Sequence, residues 1–299
     1  MPLHPFPGAF APARVRTNRS TSAGWTNDGT HTTPATAHTW GTPTQLIAST
    51  PWDASWLHIK PTTAVSVSGA RSDSLLQVFV GGSGAEQSII GPVLWGGRTA
   101  TSSLLLPIFI PAGSRISWAV KSARTSLALQ CTLELYGSPN QHTSGLPSRW
   151  VAYGLGNDSA SASWGTAVTA GNAAWGSWTS LTTSTTCAHD LWLPMADIGT
   201  AVVTANTDYR TQWALASTTD AATEVTNGTV WEGPHFRESS TEQYQSLNTY
   251  GATLMGATGT SDGIVYAPRP AGSAVSVRAL CGTSPPASGC GLAILGAVM

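Results

Sequence analysis

Apolar and polar residues alternate with period two along much of this chain. The clearest run is Leu127, Leu129, Cys131, Leu133 and Leu135, interleaved with Ala128, Gln130, Thr132, Glu134 and Tyr136. Just upstream, Ile116, Trp118 and Val120 alternate with Ser117, Ala119 and Lys121. Successive side chains of a strand point to opposite faces, so this pattern predicts β-strands with one face in a core. The short gap around Ala123 to Thr125 reads as a hairpin turn joining the two runs. Further strands are expected over Leu75–Val80, Ser88–Trp95 and Leu104–Ile110. Helical periodicity is hard to find, and Gly, Pro, Ser and Thr punctuate the chain every several residues. Many short strands with regular turn signals give an all-β fold, a sandwich or a barrel.

The chain also repeats itself. Pro111-Ala112-Gly113-Ser114 returns as Pro270-Ala271-Gly272-Ser273, an offset of 159. The same offset carries Cys131 to Cys290, Leu133 to Leu292 and Gly137 to Gly296. Further upstream, Trp40-Gly41 maps to Trp175-Gly176, Leu46 to Leu181 and Gln77 to Gln212 at an offset of 135. Trp95 and Gly97 map to Trp231 and Gly233 at 136. Collinear matches of this kind indicate an internal duplication of one β module. The organisation expected is a Pro-rich arm over 1–24, a first β-sandwich module over 25–137, a linker over 138–163, and a second module over 164–299. The arm carries Pro2, Pro5, Pro7 and Pro12, which favour an extended conformation. The second module has an insertion at about 234–262, polar and containing Tyr244 and Tyr250. Such an extension on a β scaffold is where contacts to other molecules tend to lie.

Composition narrows the partners. Only 10% of residues are charged, against about 25% in ordinary soluble domains. The formal net charge of -1 gives no electrostatic pull toward nucleic acid or anionic membranes. No segment has the roughly 18 uninterrupted apolar residues of a membrane span. The N-terminal residues lack a continuous apolar core, so a chain made in a reducing cytosol without a secretory signal is expected. The four cysteines (Cys131, Cys187, Cys281 and Cys290) lack the paired spacing of a zinc site. Cys281 and Cys290 flank Pro285-Pro286 as opposed positions of a hairpin would. They are read either as a disulfide formed in an oxidising medium or as two small buried hydrophobes.

No catalytic, metal or cofactor residues are nominated. His189 and Asp190 are adjacent, so on a strand they face opposite ways and do not couple as a dyad. None of the Gly-x-Ser-x-Gly, His-Glu-x-x-His or Gly-x-x-x-x-Gly-Lys-Ser/Thr motifs occurs. "TNDGTH", Thr26 to His31, resembles part of a calcium loop but lacks the later acidic ligands. The 13 tryptophans are the feature most open to a functional reading. Trp40, Trp95, Trp175 and Trp231 recur at matched positions and are assigned to packing. Trp25, Trp150, Trp164 and Trp178, in arm, linker or turn regions, are candidates for contact with a partner or a glycan, together with Tyr244 and Tyr250.

The segment "LPIFIPAGSRISWAVKSA", Leu106 to Ala123, leads into an alternating strand that ends in Leu-Tyr-Gly. It resembles a segment of structural virion proteins from tailed bacteriophages and gene transfer agents: apolar strand, Pro-Ala-Gly turn, strand containing Arg. The likeness extends more thinly over Val265 to Ala279, where Ala274 stands in the place of Arg115. The resemblance implies two tandem jelly-roll-like β-sandwiches in a virion component of fibre, spike or decoration type, with no enzymatic activity. The implied partners are further copies of the chain in a symmetric homo-oligomer, and other virion proteins. A lectin-like module that recognises host surface polysaccharide is the alternative.

Overall fold

A computed structural model describes residues 13–16, 29–61, 74–94, 104–122, 125–126, 128–137, 144–155, 165–197, 207–216, 230–238, 264–282 and 290–299. The described residues form β-strands and connecting turns, with no helix among them. The first half contributes nine strands: β1 (Ala13–Arg16), β2 (Gly29–Thr32), β3 (Thr44–Ile47), β4 (Ala54–Pro61), β5 (Ser74–Val80), β6 (Gln87–Leu94), β7 (Leu104–Ile110), β8 (Ile116–Ser122) and β9 (Ala128–Gly137). The second half contributes β10 (Arg149–Tyr153), β11 (Thr166–Val168), β12 (Gly171–Asn172), β13 (Thr179–Thr182), β14 (His189–Asp197), β15 (Thr207–Ala216), β16 (Val230–Glu238), β17 (Val265–Arg269), β18 (Ala274–Cys281) and β19 (Cys290–Val298).

The described strands make three sheets. One five-stranded sheet runs β1-β9-β4-β7, with β2 also on β9. Another runs β12-β18-β15-β16, with β13 also on β18. The third is nine-stranded, β17-β14-β19-β10-β6-β5-β8-β3, with β11 on β19. This sheet takes strands from both halves and joins them where β10 meets β6 in parallel at Trp150 and Ile90. The approach is close at Gly91, where a Cβ would sit 2.8 Å from the Ala152 amide nitrogen.

The apolar positions of the expected alternation are buried, but Ser117, Ala119, Lys121 and Ser122 are buried as well, so β8 is covered on both faces and not on one. Ile116, Trp118 and Val120 of β8, and Leu129, Cys131, Leu133 and Leu135 of β9, are buried in one apolar cluster with Leu57, Leu76, Val78 and Leu106. The second half adds Trp213, Leu215, Val275, Val277, Leu292 and Ile294 to the same cluster.

The hairpin expected between β8 and β9 does not form. β8 pairs with β5 and β3 in the nine-stranded sheet, whereas β9 pairs with β1, β2 and β4 in the other. Consecutive strands β8 and β9 therefore lie in different sheets instead of side by side. Alternation shows which side chains face a core, and it is the same whether the next strand lies beside or opposite. The hairpin pairing of Cys281 with Cys290 fails for the same reason. Cys281 ends β18 opposite Tyr209, and Cys290 starts β19 opposite Val168, in a different sheet.

The Pro-Ala-Gly-Ser segments are turns, and each is held by one buried threonine. Thr50 donates its hydroxyl to the Pro111 carbonyl at 2.7 Å and accepts from the Ser114 amide at 3.0 Å. Its backbone exchanges two further bonds with the turn, Thr50 N–H to Ser114 O and Gly113 N–H to Thr50 O. Thr185 makes the same four contacts with Pro270, Gly272 and Ser273. Gly113 and Gly272 have φ of 79° and 88°, a left-handed conformation that glycine takes without steric cost. Arg115, just after the first turn, pairs with Glu86 at 2.8 Å. Ala274 at the matched position forgoes that pair.

Candidate functional site

The outer face of the β12-β18-β15-β16 sheet gathers aromatic and charged side chains. Alternation along β15 turns Tyr209, Thr211, Trp213 and Leu215 into the core, and leaves Arg210 exposed and Gln212 half-buried. On β18 the same rule buries Val275, Val277 and Ala279 and leaves Arg278 half-buried. Register places Gln212 directly beside Arg278. Gln212 Oε1 accepts from Arg278 Nε at 2.8 Å and from Nη2 at 2.6 Å.

The 173–178 segment lies against β18. It is fixed by Ala173 N–H to Cys281 O at 2.8 Å and Gly176 N–H to Ala279 O at 2.9 Å. Space is minimal: a Cβ on Gly176 would lie 2.4 Å from the Thr169 carbonyl oxygen. This closely packed segment delivers two indoles. Arg278 Cζ lies 4.5 Å from the Trp178 ring centroid and 5.3 Å from that of Trp175, within cation–π range of both. Beside Gln212, Glu232 is engaged by Arg210 at 3.1 Å, in an ion pair about half exposed on each side.

Arg278 has no carboxylate partner among the described residues. Partial burial lowers the pKa of its guanidinium, which remains a cation at any ordinary pH. The indole N–H groups of Trp175 and Trp178 also donate to no acceptor among the described residues. The cluster is thus a set of hydrogen-bond donors beside two aromatic rings, held by a glutamine and a tight backbone segment.

Two other polar clusters lie away from this face: one around His189, and one around Glu134 in which the buried His58 Nε2 meets no partner among the described residues. Thr186 N–H donates to Tyr153 Oη, and Tyr153 Oη contacts His189 Nε2 at 2.7 Å. His189 Nδ1 contacts the Ala297 carbonyl at 3.1 Å, which leaves the Tyr153 hydroxyl to donate to Nε2. His189 is packed edge-on against Trp192, with centroids 4.9 Å apart. It serves this network and not a dyad with Asp190. On the first half, buried Glu134 accepts from Tyr136 Oη at 2.7 Å and lies 3.4 Å from His58 Nδ1. Among the described residues no three His, Cys, Asp or Glu side chains gather as metal ligands.

Of the sequence candidates, Trp178 belongs to the outer-face cluster. Trp150 does not face a partner: it is 1% exposed within β10 and donates Nε1–H to the Pro107 carbonyl. Residues 149–153, read as linker, are the strand that joins the halves. Trp25, Trp164, Tyr244 and Tyr250 lie outside the described residues, as does the side chain of Cys290. Trp231 packs against the core, as expected, but Trp40 is 37% exposed and Trp175 borders Arg278. What recurs at positions 40 and 175 is the backbone segment, with Gly41 N–H on Val120 O repeating Gly176 N–H on Ala279 O. The indoles are not core.

Sequence reasoning passed over Arg278. A signal was present, because at the repeat offsets Pro43 becomes Trp178 and Ala119 becomes Arg278 while Gln77 stays Gln212. In the first half that glutamine donates to Ser88 instead. Comparison with protein-family models finds no match for this chain, and comparison with curated proteins finds none either.

Proposed function

We propose that this protein is a non-enzymatic structural component of a phage-like virion, of fibre, spike or decoration type, built from two jelly-roll-like modules related by duplication and assembling as a symmetric homo-oligomer. The observation that carries the architecture is the repeated strand order. In the first half β1-β9-β4-β7 stands against β6-β5-β8-β3; in the second β10-β19-β14-β17 stands against β16-β15-β18-β13. From β2 to β9 the chain switches sheets at every step but β5–β6, and from β13 to β19 at every step but β15–β16, a pattern that supports a jelly-roll winding.

Pairing registers support the duplication independently. Gln77 faces Ala119 across β5 and β8, and Gln212 faces Arg278 across β15 and β18. Both members of that pair shift by the offsets the sequence repeats show, 135 and 159. His38 and Ala173, matched at 135, share an uncommon left-handed backbone, with φ of 59° and 51°.

The virion assignment rests on the resemblance of Leu106 to Ala123 and on a nearly neutral, weakly charged chain. Many identical copies can then pack with little mutual repulsion. Sedimentation velocity at micromolar concentration tests the assembly. A discrete closed oligomer is expected, and a stable monomer across that range would overturn it. Antibody labelling of intact particles tests the location.

A further inference from the structure

Arg278 has no carboxylate partner among the described residues, is clamped on one edge and is flanked by two indoles, and such a cluster is complementary to an anion with an apolar face. We infer that Trp175, Trp178 and Arg278 form a binding site for a carboxylate-bearing saccharide, one containing uronic or sialic acid residues. The first argument is the donor count. A guanidinium has five N–H donors, and Gln212 Oε1 takes two of them, which leaves three N–H for a ligand. The two indole N–H groups add to this set, and nothing among the described residues accepts from either. A complementary ligand is rich in acceptors and anionic, and a planar carboxylate matches the guanidinium fork.

The second argument is shape. Indoles beside a charged anchor offer the apolar body and polar edge that a pyranose, with its C–H face and ring hydroxyls, can use together. An acidic peptide would satisfy Arg278 but leave no use for the two rings beside it. The third argument is preorganisation. Gln212 fixes the guanidinium on β15, and Gly176 seats the aromatic segment against β18, so little ordering is required on binding.

Among the described residues the neighbouring carboxylate, Glu232, is already held by Arg210. The site is particular to the second half. The matched segment of the first half repeats the Gly41 backbone bond but places Pro43 and Ala119 where Trp178 and Arg278 stand. This site does not depend on the assembly reading: it can be present in a monomer and absent from an oligomer.

The test is calorimetric titration of the full chain with three probes: a glucuronate-containing oligosaccharide, a glucose oligosaccharide of equal length, and a polyglutamate peptide. Saturable binding of the glucuronate probe is expected, at least tenfold tighter than either of the others. Arg278→Gln should abolish that preference, and Arg278→Lys should weaken it, since an ammonium lacks the planar fork. Trp178→Ala should weaken both saccharides together. Thermal melts of each variant confirm folding, and glucuronate-induced shifts of indole N–H resonances in the unaltered chain read the site without any substitution. No saturable binding, equal affinity for the neutral saccharide, or tighter binding of polyglutamate would each overturn the assignment.

Discussion

Trp150 donates its indole N–H to the Pro107 carbonyl at 2.9 Å, and by that bond a strand of the second half is tied to the edge strand β7 of the first. Phe109 N–H donates to the Pro147 carbonyl at 2.8 Å a few residues away, so the tie is made by both backbone and side chain. Truncation there should be costly. Trp150→Ala is expected to lose about 3–5 kcal/mol of unfolding free energy, by removing a fully buried aromatic side chain. Trp150→Phe keeps much of the volume but strands the Pro107 carbonyl, for a loss of about 1–3 kcal/mol. Urea denaturation gives both values. Equal stability of all three proteins would show that the halves do not depend on this contact.

The junction also demands a residue without a side chain. Gly91→Val would drive its Cβ toward the Ala152 amide nitrogen and the Trp150 carbonyl, at 2.8 and 3.1 Å in the present backbone. Overpacking of this kind typically costs about 1–3 kcal/mol. Hydrogen exchange should localise the effect: amides of β10 and β6 lose protection first, while those of β15 and β18 keep theirs.

Thr50→Val and Thr185→Val each delete a hydroxyl that accepts from one turn amide and donates to one turn carbonyl. Valine preserves the shape and removes both of those bonds from a buried setting, at a cost of about 1–3 kcal/mol for each substitution. The two threonines serve separate turns and share no partner, so the double variant should be additive within about 0.5 kcal/mol. Strong non-additivity, measured by the same denaturation, would mean that the two turns are energetically coupled.

Burial pushes the His189 imidazole below its usual pKa range, and Arg149 adds to the effect, while the Ala297 carbonyl and Asp190 oppose it. His31 is shifted the same way by burial. A histidine with a lowered folded-state pKa gives its full stabilisation above its unfolded value, about 6.5, and loses it as pH falls from there through the folded value. Stability should therefore fall as pH drops below about 6.5. In His189→Gln the slope over that interval should be shallower, whatever the stability at neutral pH. An unchanged slope would mean that His189 titrates alike in the folded and unfolded chain.

Several features were legible in the sequence because they depend on one strand at a time. Period two at Ile116, Trp118 and Val120 marks one face of β8, since alternation follows from the backbone of a single strand, but it does not reveal that Ser117, Ala119 and Lys121 on the other face are buried too. The Pro-Ala-Gly-Ser repeat marks two equivalent turns because left-handed φ at the third position favours glycine. The offsets 135 and 159 reappear in the pairing registers because strands of equal pattern meet in equal register. The candidate site was legible only in part. Trp178 stood out by its place in a turn, but Arg278 reads locally as one more polar residue on a strand.

The remaining features depend on contacts between distant segments. Whether β9 lies beside β8 or across from it depends on which strands close the core, and a short turn permits either. Trp150 looks like a linker residue by composition, yet it is buried because β10 bridges two sheet halves whose strands lie far apart in the chain. Arg278, Gln212 and the two indoles come from three separate segments and meet through sheet register and one close-packed glycine. Inward faces and turns are local properties, written into a few consecutive residues each. Partners across the core, and the side chains gathered on its outer face, were set by long-range closure of the sheets.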